Sequence, residues 1–94
     1  MPRPARHAIT ELLDLLGRRW ALRVLWELRD GPLAYGDLRT RCDEVSTSVL
    51  ATRLRELASA GFVERRGDGW GLTPAGADLG SRLLDLSRWA EERA

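Results

Sequence analysis

The chain has 94 residues, with fifteen Lys+Arg against fourteen Asp+Glu, one His and one Cys. That length supports one domain, able to bury roughly two-thirds of its unfolded surface, and the near-zero net charge excludes a polybasic tail as a source of nucleic-acid affinity. One cysteine excludes an intramolecular disulfide, and no apolar run approaches a membrane span.

All fifteen cations are arginine, whose planar guanidinium suits bidentate phosphate and guanine contacts, although a GC-rich genome accounts for the same bias. No signal peptide is visible, so the expected location is cytoplasmic.

Met1 to Arg6 reads as a short, flexible basic arm, because its two prolines discourage helix before about Ala5. His7 to Gly17 is predicted helical, with Ile9, Leu12, Leu13, Leu15 and Leu16 giving more apolar surface than one helix face hides in so small a domain. Arg18 to Asp30 resumes helical periodicity. Ala21, Leu25 and Leu28 fall on one side and Leu22 and Trp26 toward another, until Gly31-Pro32 stops the helix.

Leu33-Ala34-Tyr35 suits a single extended pairing with a later hairpin. Asp37 to Cys42 makes one or two helical turns with Leu38 inward, and Asp43-Glu44-Val45 turns the chain into the next helix. Glu44 stands where such turns favour glycine; a turn of a few residues that avoids positive φ there keeps the cost small.

Residues 46–60 form the helix around which the rest is organised. Ser46 is a good N-cap. Leu50, Leu54 and Leu57 recur at i, i+4 and i+7 and make one apolar stripe. The same rotation places Ser48, Thr52, Arg55 and Ser59 on the opposite side, a face shaped to meet something polar. Gly61 can end this helix in the left-handed conformation.

Phe62 and Val63 then start an extended run through Glu64, Arg65 and Arg66. It turns at Gly67-Asp68-Gly69, where Asp-Gly is a hairpin signal, and returns through Trp70, Gly71 and Leu72. Thr73-Pro74 begins the last helix, to about residue 92, with cap and proline in their preferred places. Leu79, Leu83, Leu86 and Ala90 follow helical spacing, and Leu84 and Trp89 spill outside it.

Helix, short turn, helix, then a hairpin with arginines near its tip is the pattern of a winged helix-turn-helix: mainly α with a small β-hairpin. In that arrangement the second helix enters a DNA major groove and the hairpin arginines lie beside it on phosphates. The competing account is a surface helix with ordinary solvated charges, since residues 46–66 carry only four arginines against two glutamates. Surplus apolar faces on the two terminal helices, about 7–17 and 74–92, point to a homodimer built from both.

Four segments, LLDLLGRRWALRVLWEL, DGPLAYGDLR, VSTSVLATRLRELASAGFVERR and LTPAG, follow in order and spacing a known pattern covering nearly the full length. In these the chain resembles the HxlR-type branch of the MarR-like winged helix-turn-helix transcriptional regulators. The resemblance implies a dimeric bacterial regulator that binds double-stranded DNA with helix 46–60 in the major groove and the wing, residues 64–71, on the backbone. It places Thr47, Ser48 and Thr52 toward base edges, with Ser46 at the helix start also a DNA-contact candidate, and Arg53 and Arg55 toward bases or phosphates. Arg65 and Arg66 would serve the wing, and Tyr35 and Arg39 fall where such proteins touch backbone.

Three departures qualify it. Many members of this branch carry a redox-sensing cysteine near the start of the first helix, where this chain has His7. Cys42 falls where the pattern has a core leucine, so an inert packed thiol is expected there. Arg23 and Trp26 occupy helix positions where relatives vary.

Two further binding functions stay open. Trp26, and Trp89 on a helix assigned to the dimer interface, are candidates to stack a planar small-molecule effector there, against the plainer expectation that they fill an interface core. A winged helix devoted to protein interaction is the other, although such a partner would more often meet an exposed aromatic or leucine on helix 46–60. Catalysis is not expected: His7 is the only histidine, Cys42 has no metal-ligand spacing around it, and no base accompanies Ser46 or Thr47. Neither cofactor nor metal is expected.

Overall fold

The computed structural model describes residues 5–94 and contains five helices and three short strands. The order is α1 (Ala5–Leu16), α2 (Ala21–Glu27), β1 (Leu33–Ala34), α3 (Tyr35–Arg41), α4 (Thr47–Ser59), β2 (Val63–Arg66), β3 (Gly69–Leu72) and α5 (Pro74–Arg93). The expected basic arm falls mainly outside the described residues, and α1 has already begun at Ala5, before the arm's expected end at residue 6.

The three strands form one antiparallel sheet in the order β1-β3-β2, with Leu33 opposite Trp70 and Arg65 also opposite Trp70. The predicted hairpin therefore gains a third strand. Leu33 and Ala34 supply it, while Tyr35, expected in the extended pairing, is the first residue of α3.

Helix α2 is shorter than its periodicity predicts. It begins only after Trp20, which takes a left-handed φ of 77° as the chain reverses out of α1, and its C-cap is Leu28. The hairpin turn also differs from expectation. Arg66 pairs with Gly69, so the loop is Gly67-Asp68, with positive φ (59°) at Gly67 alone. Glycine-first is one of the two favoured forms of two-residue hairpin; the Asp-Gly form needs positive φ at both loop positions.

The core runs through every layer. Leu16 of α1, Val24 and Leu25 of α2, Leu38 of α3, Val63 of β2 and Leu79 of α5 meet around Leu50, Leu54 and Leu57, the α4 stripe that the heptad-like spacing predicts. Those three leucines are at most 1% exposed. At about 2 kcal/mol per buried leucine they outweigh the propensity of an isolated helix of this length, which is marginal in water. Tertiary packing thus holds α4, and it does so from one side only.

Thr73 closes the fold at the wing's base. It accepts from Gly76 N at 3.0 Å as N-cap of α5, and its hydroxyl donates to the Gly61 carbonyl. Gly76 lies so close to the residue that enters β2 that an added Cβ would stand 2.0 Å from the Phe62 carbonyl oxygen.

Candidate nucleic-acid interface

The turn between α3 and α4 is built by side chains that hold backbone. Arg39 donates from Nε to the Val45 carbonyl at 2.8 Å and from Nη2 to the Glu44 carbonyl at 3.4 Å. Tyr35 donates its hydroxyl to the Thr47 carbonyl at 2.9 Å, joining the first turns of the two helices. From beneath, Arg23 of α2 donates to the Arg41 carbonyl at 2.7 Å and pairs with Asp43 at 3.4 Å. Arg23 is absent from the sequence-derived site; its spacing to Glu27 marks an i,i+4 pair, which forms at 2.8 Å, but only the fold brings it to the turn.

That turn does not avoid positive φ. Asp43 and Glu44 lie at 56° and 60°, a correction to the expected geometry. The chain must reverse within a few residues while Cys42 and Val45 stay buried, and two successive left-handed residues achieve it.

On α4, Ser46 is the N-cap, accepting from Val49 N at 3.3 Å. Ser46, Thr47, Ser48, Arg55 and Ser59 are exposed and Thr52 is half-buried, so the side opposite the leucines is polar along its length. Thr52 Oγ1 donates to the Ser48 carbonyl at 2.9 Å and accepts from Arg55 Nη2 at 3.2 Å.

Arg53 turns the other way. Its Nε donates to the Arg19 carbonyl at 2.8 Å and its Nη1 to Glu56 at 2.6 Å, and Glu56 also pairs with Arg18. Partial desolvation opposes ionisation of Glu56, but the bonds from Arg53 and the charge of Arg18 win, and its pKa falls below the ordinary value. This cluster ties α4 to the corner between α1 and α2, leaving Arg55 as the α4 arginine on the polar side.

The hairpin that follows α4 carries Arg65 and Arg66. The Arg65 guanidinium lies over the Trp70 ring, 5.4 Å from its centroid. Arg66 donates to the Leu72 carbonyl at 3.1 Å and sits 3.5 Å from the Glu64 carboxylate. Both remain exposed.

Away from this face, Trp26 lines a cleft of about 710 Å³ between α2 and α5, with Leu22, Leu83 and Leu86 among its walls. Trp89, the other tryptophan considered for a planar ligand, is not among its walls. Cys42 is fully buried, and burial pushes its thiol pKa up, the setting of an unreactive packed thiol. Among the described residues no group of three His, Cys, Asp or Glu could hold a metal, and no helix is long and apolar enough to cross a membrane.

Comparison with known proteins agrees with this geometry. The model of the HxlR-like helix-turn-helix family matches residues 15–94. Over 88 residues the chain is 31% identical to the HTH-type transcriptional regulator YtfH of Escherichia coli K12, an alignment covering 86% of this chain and 70% of that protein. Quinone-bound YodB from Bacillus subtilis superposes with a TM-score of 0.84 at 29% identity, over 90% of this chain and 97% of that one. A MarR-family regulator from Enterococcus faecalis V583 gives 0.85 at 29% identity, over 98% and 90%. With its family model spanning most of the sequence and its winged helix shared with these regulators, the chain belongs to the HxlR-like helix-turn-helix family of transcriptional regulators.

Proposed function

We propose that the protein binds double-stranded DNA as a sequence-specific homodimer, with α4 in the major groove and the β2–β3 wing on the adjacent backbone. The observation that carries this reading is the division of α4. Its leucine side is sealed in the core, while Thr47, Ser48, Thr52 and Arg55 form an outer side without a large apolar residue, as base edges and phosphates require and a protein partner does not. Tyr35 and Arg39 act by fixing the turn that presents α4, and Arg53 by fixing its inner side.

The dimer reading is supported by Ile9 and Leu13 on α1 and by Leu86 and Trp89 on α5, large apolar side chains that are each at least half exposed in the single chain. To read two half-sites, a twofold pairing through these helices must set the two α4 helices about 34 to 36 Å apart, the repeat of successive major grooves.

Fluorescence anisotropy with a duplex from upstream of the protein's own gene, against a scrambled duplex across a salt series, tests the reading. Arg65→Ala is expected to weaken both duplexes alike and to reduce the log–log salt slope by about one unit. Affinity for neither duplex at low salt would sink the proposal.

A second reading adds a small-molecule effector, supported by the apolar cleft at Trp26 and by the quinone bound to YodB. Tryptophan fluorescence titrated with planar quinones tests it, and no saturable response would end it.

A further inference from the structure

Thr52 has one hydroxyl proton, and it is spent on the carbonyl of Ser48 at 2.9 Å. A hydroxyl donates once, so in this arrangement Thr52 has no donor for the oxygen or nitrogen acceptors of guanine, nor for thymine O4. One lone pair is also taken, by Arg55 Nη2 at 3.2 Å. What Thr52 keeps for an apolar contact is its methyl group.

On α4 and its supporting turn Arg55 is distinguished from the other arginines by its partner, and on the wing Arg65, held over the Trp70 ring, likewise faces no carboxylate among the described residues. Arg53 faces Glu56, Arg39 faces Glu44 and Arg66 faces Glu64, whereas Arg55 is bonded to the neutral Thr52 hydroxyl. Its charge is unpaired by any carboxylate among the described residues, and one end of the guanidinium is already held. The Thr52 bond therefore orients a flexible cation while its remaining N–H groups stay available for a forked contact.

Residues three apart on a helix are separated by about 4.5 Å along its axis, close to the roughly 3.4 Å step between base pairs. With α4 running along the groove, the two side chains would therefore fall over neighbouring pairs.

We propose that Thr52 and Arg55 form one reading unit for a T·A pair beside a G·C pair. The Thr52 methyl packs against the C5-methyl of thymine, and Arg55, braced by the Thr52 hydroxyl, donates to guanine O6 and N7. This rests on the placement of α4 in the major groove.

The test starts from a duplex obtained by binding-site selection with the full chain. Replacing its thymines singly by deoxyuridine removes one methyl each, and replacing its guanines singly by 7-deazaguanine removes one N7 each. In the wild type, one deoxyuridine position is expected to weaken binding about fourfold, the worth of one buried methyl, and a neighbouring 7-deazaguanine about tenfold or more.

Two conservative variants then separate the roles. Thr52→Val keeps a methyl and loses the hydroxyl, so the deoxyuridine effect persists and the 7-deazaguanine effect shrinks. Thr52→Ser keeps the hydroxyl and loses the methyl, so the pattern reverses. Selective binding with no sensitive thymine, or with sensitivities that both variants leave unchanged, overturns this inference while the DNA-binding proposal stands. If no selected duplex is preferred over random sequence, both fall.

Discussion

Replacing Glu44 with glycine is expected to stabilise this protein, although it deletes an ion pair. At φ of 60° an L residue bears a cost of roughly 1–2 kcal/mol, which glycine escapes. Two effects oppose the gain. Glycine loses more unfolded-state freedom on folding, about 0.4–1 kcal/mol, and the Arg39 pairing disappears. The Glu44 side chain is 65% exposed and its carboxylate 3.6 Å from its partner, so that pair is a screened surface contact, about 0–1 kcal/mol and toward the lower end.

Glu44→Ala isolates the backbone effect, because it also removes the pair but retains a Cβ. Glycine is expected to exceed alanine by about 1 kcal/mol, roughly 4–8 °C in Tm for a domain of this size. Thermal denaturation followed by far-UV circular dichroism measures it, with the variants at one protein concentration so that any self-association acts equally. An alanine variant as stable as the glycine variant, or more so, would show that the turn stores no strain at this residue.

Gly76→Ala would drive a Cβ to 2.0 Å from the Phe62 carbonyl oxygen. Backbone on both sides must shift, and an overpacking cost of about 1–3 kcal/mol should lower the urea midpoint; an unchanged midpoint contradicts the close approach. For Glu56 the folded pKa is depressed below 4.5, so its stabilisation is present above that pH and is lost as pH falls through the lower folded value. Glu56→Gln should therefore flatten the acid side of the stability profile and leave its shape above pH 6 unaltered; identical acid slopes would remove Glu56 from the cluster's energetics. Leu86→Glu places charge on a side chain 58% exposed in the single chain, so it should yield folded monomers in sedimentation velocity. A dimer profile would move the interface elsewhere. Leu83 is a poorer probe, since it also packs against the core.

Local chemistry by itself specifies much of this fold. Period alone distinguishes α4 from β2, because three leucines at helical spacing give way to a β-rich run just after a helix-ending glycine. Thr73-Pro74 marks the start of α5 for the same local reason, a side-chain cap beside a residue that needs no amide hydrogen. The winged helix, two helices joined by a turn and followed by a hairpin, is a property of residue order and is readable as such.

What residue order could not show is how polar side chains are spent, because hydrogen bonds link positions far apart in the chain. Arg53 and Arg55 are two residues apart on one helix and look equivalent in sequence. Only the folded chain brings the Arg19 carbonyl and Arg18 to the inner side of α4, where Arg53 and Glu56 are consumed. The same holds at the turn, where Arg23, from a helix about twenty residues upstream, holds the Arg41 carbonyl. Hydrophobic period selected the side of α4 that is buried, since burial follows from local spacing. Which of its two cations remains for a partner was decided by tertiary packing, because a guanidinium takes whichever carbonyls and carboxylates the fold brings within hydrogen-bond range.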